Sequence, residues 1–271
     1  MSGESQKAKT DAFRAMHRGQ QILVLPNVWD VASARIVQHG GFGAIATTSA
    51  GIAFSQGYPD GQRISRGEML EVVRRIATGV SIPVTADVEA GYGDRPEDAK
   101  QTARDVLAAG AVGMNLEDAT GDPRRPLFEL ARQIERVKAV REVSIVLNAR
   151  TDVYLLEVGA PEKRYDEALQ RLAAYRDAGA DCVFVPGLRD ADTIGRLVKD
   201  LRCPVNILAG PGSPSVPELK KLGVARVSVG SAAMRATLGL LRRIAEELNS
   251  AGTYATLEGG IPFADVNRMM E

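Results

Sequence analysis

The chain has 271 residues, 45% of them hydrophobic and 25% charged, with 34 Lys and Arg balanced by 34 Asp and Glu. That length supports a large core, and balanced charge excludes a strong global field recruiting nucleic acid or an anionic membrane. No run approaches the roughly 18 apolar residues of a membrane span, and the N-terminal MSGESQKAKTDAFRAMHRG lacks a signal-peptide core, so a soluble, cytoplasmic protein is expected.

Read from the N-terminus, short β-rich apolar runs alternate with amphipathic helical stretches. The strand candidates are QILVLP (21–26), GAIATT (43–48), IPVTADV (82–88), VGMNLE (112–117), SIVLNAR (144–150), CVFVPG (182–187), PVNILA (204–209) and RVSVG (226–230). Helical periodicity fills 30–39, 66–79, 96–109, 127–141, 162–178, 190–200, 215–222 and 231–249. Such runs divided by helices predict βα units on a parallel sheet. Eight of each fit an α/β fold of the (β/α)8 TIM-barrel type, a single domain over 1–271 with a C-terminal helical extension over 231–271. A rival Rossmann-type sheet should carry G-x-G-x-x-G after its first strand, where this chain reads LPNVWD. Ala109-Gly110 and Ala178-Gly179 close helices where the chain must turn left-handed. Cys182 and Cys203 sit in or beside apolar runs and read as buried thiols rather than a disulfide. The tail TYATLEGGIPFADVNRMME (253–271) reads as a short helix that either packs back as a flap or reaches a neighbouring subunit.

In such a barrel the active site lies at the C-terminal rim of the strands. The third strand ends in Asp87-Val88-Glu89, and alternation puts both acids on one face. The fourth ends in Glu117-Asp118 and the fifth in Asn148-Ala149-Arg150-Thr151-Asp152. Neighbouring strands lie about 4.8 Å apart, so these ends can converge. Asp87, Glu89 and Glu117 at one rim would repel unless a cation joins them, and Mg²⁺ (or Mn²⁺) suits oxygen ligands with several retained waters. Arg150 adds a fixed donor fork for a substrate carboxylate or a developing oxyanion. Each acid alone could equally be a helix cap or an ion-pair partner; Asp94, ahead of Arg95-Pro96-Glu97, reads as an N-cap. The second strand ends in Thr48-Ser49-Ala50-Gly51, either an anion cradle of exposed N–H groups or a plain turn. The loop 52–65 is long and rich in turn residues, and Asp60 within it suits a turn.

These residues resemble the isocitrate lyase/phosphoenolpyruvate mutase superfamily. The resemblance covers nearly the whole chain: PNVWDVASARIVQHGGFGAIATTSAG, YPDG, ADVEAGYGD, NLED and NARTD. It implies a barrel whose eighth helix is exchanged between subunits, commonly in a dimer of dimers, binding Mg²⁺ and an α-oxo acid or its enolate. By the resemblance Asp87, Glu89 and Glu117 are metal-site acids, and Asp60 orients the metal's waters. Arg150 contacts substrate oxygen, and Thr48, Ser49 and Ala50 hold its carboxylate. The chain also departs from the pattern. The stretch 117–129 has neither the Cys nor the His of the lyases' mobile loop, and the mutases' longer gating loop is missing. Glu89 replaces the usual Asp, the sixth strand's end Phe184-Val185-Pro186-Gly187-Leu188 lacks a His or Ser, and Gly210 stands where lyases often carry Asn.

The expected chemistry is Mg²⁺-dependent C–C cleavage of a small α-oxo or 2-hydroxy di-acid through an enolate, by lyase or decarboxylase action. The alternatives are hydrolysis of an oxaloacetate-like substrate, P–C chemistry, or α-oxo acid binding with little catalysis. A further alternative is a phosphate site at Gly210-Pro211-Gly212-Ser213 and Gly230-Ser231. Tyr58, Tyr92 or a metal-bound water are the acid–base candidates, since His17 and His39 lie in helical segments.

Overall fold

The computed structural model describes residues 3–271. Nine parallel strands form one sheet in the order β1-β9-β8-β7-β6-β5-β4-β3-β2. They are β1 (Leu23–Leu25), β2 (Asn27–Val28), β3 (Ile45–Thr47), β4 (Val84–Asp87), β5 (Gly113–Glu117), β6 (Val146–Arg150), β7 (Cys182–Phe184), β8 (Val205–Leu208) and β9 (Arg226–Ser228). β1 pairs with β9 and β2 with β3, with Pro26 between them. The two segments are one barrel strand, interrupted by a residue with no N–H to donate. The carbonyl of Pro26 still accepts from Ala46 N at 3.1 Å. The nine segments therefore close the eightfold βα barrel that the alternation predicts.

The helices that follow the strands are α2 (Val31–His39), α4 (Arg66–Gly79), α5 (Pro96–Ala108), α6 (Leu130–Arg141), α7 (Arg164–Asp177), α8 (Ala191–Leu201), α9 (Val216–Lys221) and α10 (Ala232–Ser250). Gly110 and Gly179 take φ of +93° and +104°, the left-handed exit their positions call for. Cys182 is buried, Cys203 half-buried, and both are free thiols.

Two helices escape the periodicity reading. The polar segment α1 (Gly3–Met16) closes the bottom of the barrel by inserting Phe13 among Leu25, Ala44, Ala46, Val112 and Val146. Its fit depends on Gly113, where a Cβ would meet Phe13 and Thr85 at 2.8 Å. Arg14 fixes the helix by bonding Asp181 Oδ1 at 3.0 Å and Ile145 O at 3.2 Å. The second, α3 (Ser49–Ser55), occupies the start of what reads as a long loop.

At the other end of the chain α10 projects from the barrel. Only Met234 among its 19 residues is buried, and Leu238, Leu240, Leu241 and Leu248 face outward. The tail turns back, and α11 (Phe263–Met270) lies against α2, where Arg35 Nη1 donates to Met269 O at 3.4 Å. Among the described residues no helix is long and apolar enough to cross a membrane.

Candidate active site

The ends of β4, β5 and β6 carry the polar groups that the sequence singles out. Register sets Asp87 beside Asn115 and Glu117 beside Arg150. Asp87 is held from two sides. Ser49 donates to its Oδ2 through the backbone N at 3.1 Å and Oγ at 2.9 Å, and Asn115 Nδ2 donates to its Oδ1 at 3.2 Å. Asn115 is fixed in turn by Asn148 Nδ2, 2.8 Å from its Oδ1. The barrel interior thus aims this carboxylate without supplying a cation to pair with it directly.

Glu89 reaches the site differently from the alternation argument. The strand stops at Asp87, and Glu89 sits beyond it at φ +52°. Tyr92 follows at φ +55°, so a single turn holds two non-glycine residues in left-handed backbone. Each such residue costs on the order of 1 kcal/mol or more, and such strain concentrates at functional turns. Gln62 stitches the turn to the preceding loop. Its N–H donates to Glu89 Oε2, and its Oε1 accepts from Tyr92 N at 2.8 Å. Glu89 Oε1 and the Tyr92 hydroxyl are buried without a protein partner. Burial, with Asp60 and Asp87 nearby, pushes the Glu89 carboxyl up to about 7. Asp60 keeps much of its surface in solvent, but its carboxyl leans inward, and burial and Asp87 raise its pKa as well.

Glu117, Arg150 and Asp152 form the other half. Arg150 Nη1 lies 2.7 Å from Glu117 Oε2, while Nε and Nη2 grip Asp152 at 2.6 and 3.0 Å. Burial alone would lower the Arg150 pKa; Asp152 and Glu117 more than reverse that and keep it charged. The guanidinium lies over the Phe184 ring at 5.7 Å. It has five N–H donors, three of which these contacts use, so two remain for a ligand. Glu117 is pushed well above the carboxylate range by burial, which Arg150 offsets only in part.

Several sequence candidates have other employment. Thr48 caps α3, its Oγ1 accepting from Gly51 N at 3.3 Å; Ala50 lies in the first turn of that helix. Asp94 is not an N-cap: α5 is capped at Arg95, whose N–H donates to Asp98 Oδ2 at 3.1 Å. Asp118 is fully buried by Thr151, Asp152 N, Tyr175 and Arg171, a structural junction under the rim. Tyr58 donates its hydroxyl to Glu68 on α4 at 3.0 Å. His17 packs at the barrel floor against Phe13, where burial and Arg226 depress its pKa to about 3, and His39 is exposed at the end of α2. The loop after β5 folds on itself through the Ala119–Leu127 bridge and Thr120 N to Pro126 O at 2.9 Å. A cavity of about 480 Å³ opens between this loop and residues 156–159, and neither Asp87, Glu89 nor Glu117 lines it.

Sequence reasoning missed Asn115, Gln62 and the full role of Asp152. Asn115 was findable, two residues before Glu117 on the same strand face. Gln62 was not, because its place depends on a loop at φ +56°.

Among the described residues no group of three or more His, Cys, Asp or Glu side chains is already arranged to hold a metal ion. The donor set still suits Mg²⁺, which takes few carboxylates and keeps its waters. The orphaned Glu89 oxygen supports that fit, as do Glu89 and Glu117, which burial and neighbouring acids raise.

The C-terminal rim of this parallel βα barrel therefore gathers buried acids and one arginine gripped between two of them. The family model described as phosphoenolpyruvate phosphomutase matches residues 13–249, so the chain belongs to that family, within the isocitrate lyase/phosphoenolpyruvate mutase superfamily. A protein of Burkholderia cenocepacia J2315 is 39% identical, with a TM-score of 0.92 over 98% of this chain and 96% of that one. The 2-methylisocitrate lyase of Bacillus subtilis (strain 168) is 28% identical over 76% of this chain and 68% of its own. The oxaloacetate decarboxylase of Rhodopseudomonas palustris (strain BisA53) is 29% identical over 80% of this chain and 76% of its own.

Proposed function

We propose that the chain is an Mg²⁺-dependent enzyme that cleaves a C–C bond in a small α-oxo or 2-hydroxy di-acid, with decarboxylation the reaction its residues complete most readily. The observation that carries this reading is the burial of Asp87, Glu89 and Glu117 at one rim, with that burial and neighbouring acids raising Glu89 and Glu117, and Arg150 beside Glu117 at 2.7 Å. Asp87, Glu89 and Glu117 would hold the metal, with Asp60 turned toward its waters. Bound there, Mg²⁺ would act as a Lewis acid on the substrate's keto oxygen. Arg150 binds the neighbouring carboxylate and faces the oxygen on which negative charge grows. Ser49 holds Asp87 in place, and the short helix α3 covers this side of the site.

Decarboxylation of a β-carboxylate needs no base to begin. Cleavage of a 2-hydroxy acid does, and the loop 119–127 supplies neither Cys nor His. Burial, together with the surrounding acids, raises Tyr92 above the ordinary phenol range. It therefore stays neutral and serves as a donor to the developing enolate, not as a base. The direct test is incubation with oxaloacetate, 2-methylisocitrate and phosphonopyruvate. Pyruvate is expected from oxaloacetate with Mg²⁺ and is abolished by EDTA; turnover undiminished by EDTA would defeat the reading.

Proton linkage gives a second check. Glu89, at about 7 when folded, binds its proton more tightly than an unfolded glutamate. Its stabilisation of the metal-free fold is full below the unfolded value and is lost as pH rises through about 7. Metal must displace that proton, so Mg²⁺ affinity is expected to climb between pH 5 and 7 and then level off. Titration calorimetry across that range reads this, and a flat profile contradicts it.

The leucines of α10 and the exposed Tyr254 and Phe263 support the further proposal that a second copy covers this arm, giving a homo-oligomer built from dimers. Leu241→Asp is expected to shift the sedimentation coefficient toward the monomer, and an unshifted monomeric wild type would refute it.

A further inference from the structure

The turn that delivers Glu89 and Tyr92 lies outside regular structure, and four of the five residues 89–93 take positive φ. Such backbone persists only where its surroundings over-determine it. Here the surroundings hold the carbonyls. Val88 O accepts from Gly91 N at 2.9 Å, Glu89 O from Glu117 N at 3.2 Å and Gly91 O from Thr102 Oγ1 at 2.8 Å. Those of Ala90 and Gly93 both accept from a single atom, Nη2 of Arg136, the second at 3.1 Å.

Arg136 is a costly residue for this place. It is fully buried on α6, and among the described residues no carboxylate lies within ion-pair distance of it. Its Nε has no hydrogen-bond partner. The guanidinium lies 4.1 Å over the Phe128 ring, which offsets part of the lost hydration. Apolar side chains of similar volume often serve a buried position as well as ions do, so packing alone does not call for arginine. What an apolar residue cannot supply is a planar fork whose donors reach several acceptors at once.

That fork joins the two segments that carry the rim acids. Nη1 donates to Gln133 Oε1 at 2.7 Å, and Gln133 Nε2 donates to Glu117 O at 3.2 Å. Gln133, also fully buried, stands three residues before Arg136 on the same face of α6. Phe128, beneath the guanidinium, is tied to the residue after Glu117 by its N–H, which donates to Asp118 O at 2.8 Å. One helix face thus grips both the turn after β4 and the end of β5.

We infer that Arg136, acting with Gln133, is a positioning residue that locks the Glu89–Tyr92 turn in register with Glu117, so that the acids of two strands meet one cation. This rests on the function proposed above and adds to it the group that sets the spacing of the metal-site acids from outside the barrel. Arg136 touches neither metal nor substrate.

The experiment compares wild type, Arg136→Lys and Gln133→Met as full chains. Amide hydrogen exchange is read on the metal-free proteins, and Mg²⁺ affinity by titration calorimetry with oxalate present. Lysine keeps the charge on one nitrogen and cannot reach Ala90 O, Gly93 O and Gln133 Oε1 together. Losing a charge-assisted bond is expected to speed exchange over residues 88–94 roughly 10- to 100-fold, with β7, β8 and β9 as protected as in wild type. Mg²⁺ affinity should fall by about 10- to 100-fold, the range for outer-shell partners of a metal ligand. Gln133→Met leaves the bonds to Ala90 and Gly93 in place and is expected to weaken Mg²⁺ about 10-fold. Should the lysine variant not fold, wild-type Mg²⁺ affinity in Gln133→Met overturns the proposal. In Arg136→Lys, exchange that rises equally in every strand or not at all overturns it, as does faster exchange over 88–94 with unchanged Mg²⁺ affinity. A wild type that binds no Mg²⁺ with oxalate defeats the active-site reading instead, and exchange over 88–94 then decides whether Arg136 holds the turn.

Discussion

Arg150→Lys is expected to lower kcat by about 100- to 1000-fold, the range found when one preorganised donor to a developing oxyanion is removed. Lysine keeps the charge but not the fork. Arg150 spends Nε and Nη2 on Asp152 and Nη1 on Glu117 while leaving two donors for the ligand. An ammonium has three donors on one atom and cannot span both acids and a substrate. The substitution also strands acids that are nearly buried, Asp152 at 2% exposure most of all. A lysine keeps the charge but leaves part of this buried pairing unmade, so the melting temperature should fall too. Asp152→Asn separates the two effects, since it leaves Arg150 in place but loosens its grip. Intermediate kcat with nearly intact Mg²⁺ binding is expected there. Wild-type kcat in Arg150→Lys would remove Arg150 from the reaction.

What the sequence made legible follows from what each residue's position depends on. The barrel was readable because its strands and helices are each decided by local pattern: Arg66–Gly79 coincides with the predicted helix, capped by Ser65 and Glu68 in reciprocal bonds. The split of the first strand was implicit in Pro26, a residue that cannot donate to a neighbour. By contrast α1 is polar along most of its length and docks through Phe13, which plugs the barrel floor against Gly113. That interaction joins residues a hundred positions apart and leaves no periodic trace. At the site, Asp87, Glu117 and Arg150 stand on strand ends, so alternation and neighbouring register suffice to gather them. Glu89 is brought there by left-handed backbone and by Gln62, a long-range fit that alternation imitates only by coincidence. Family resemblance supplied the expected roles; the grip of Asp152 on Arg150 came from the structure.

Asp87→Ala is expected to abolish Mg²⁺-dependent oxalate binding, with a loss beyond the roughly 10- to 100-fold typical of outer-shell partners of a metal ligand. Two opposing terms govern its effect on the fold. Ser49 N, Ser49 Oγ and Asn115 Nδ2 all donate to the Asp87 carboxylate, and removing it leaves them to find water. Each unsatisfied buried donor costs about 1–3 kcal/mol. Against that, Asp87 is among the charges that raise Asp60, Glu89 and Glu117. Its removal relieves repulsion that the metal-free protein otherwise bears. The terms are opposite in sign, so the variant should fold with a stability loss smaller than three unsatisfied donors alone would impose, while losing the metal. The relief has its own signature: with one negative neighbour gone, Glu89 titrates lower, and the fall in metal-free stability between pH 5 and 7 becomes shallower. Chemical denaturation at several pH values reads that slope. An Asp87→Ala protein that keeps wild-type Mg²⁺-oxalate affinity would place the metal elsewhere, and a slope as steep as wild type would mean that Asp87 and Glu89 do not share a field.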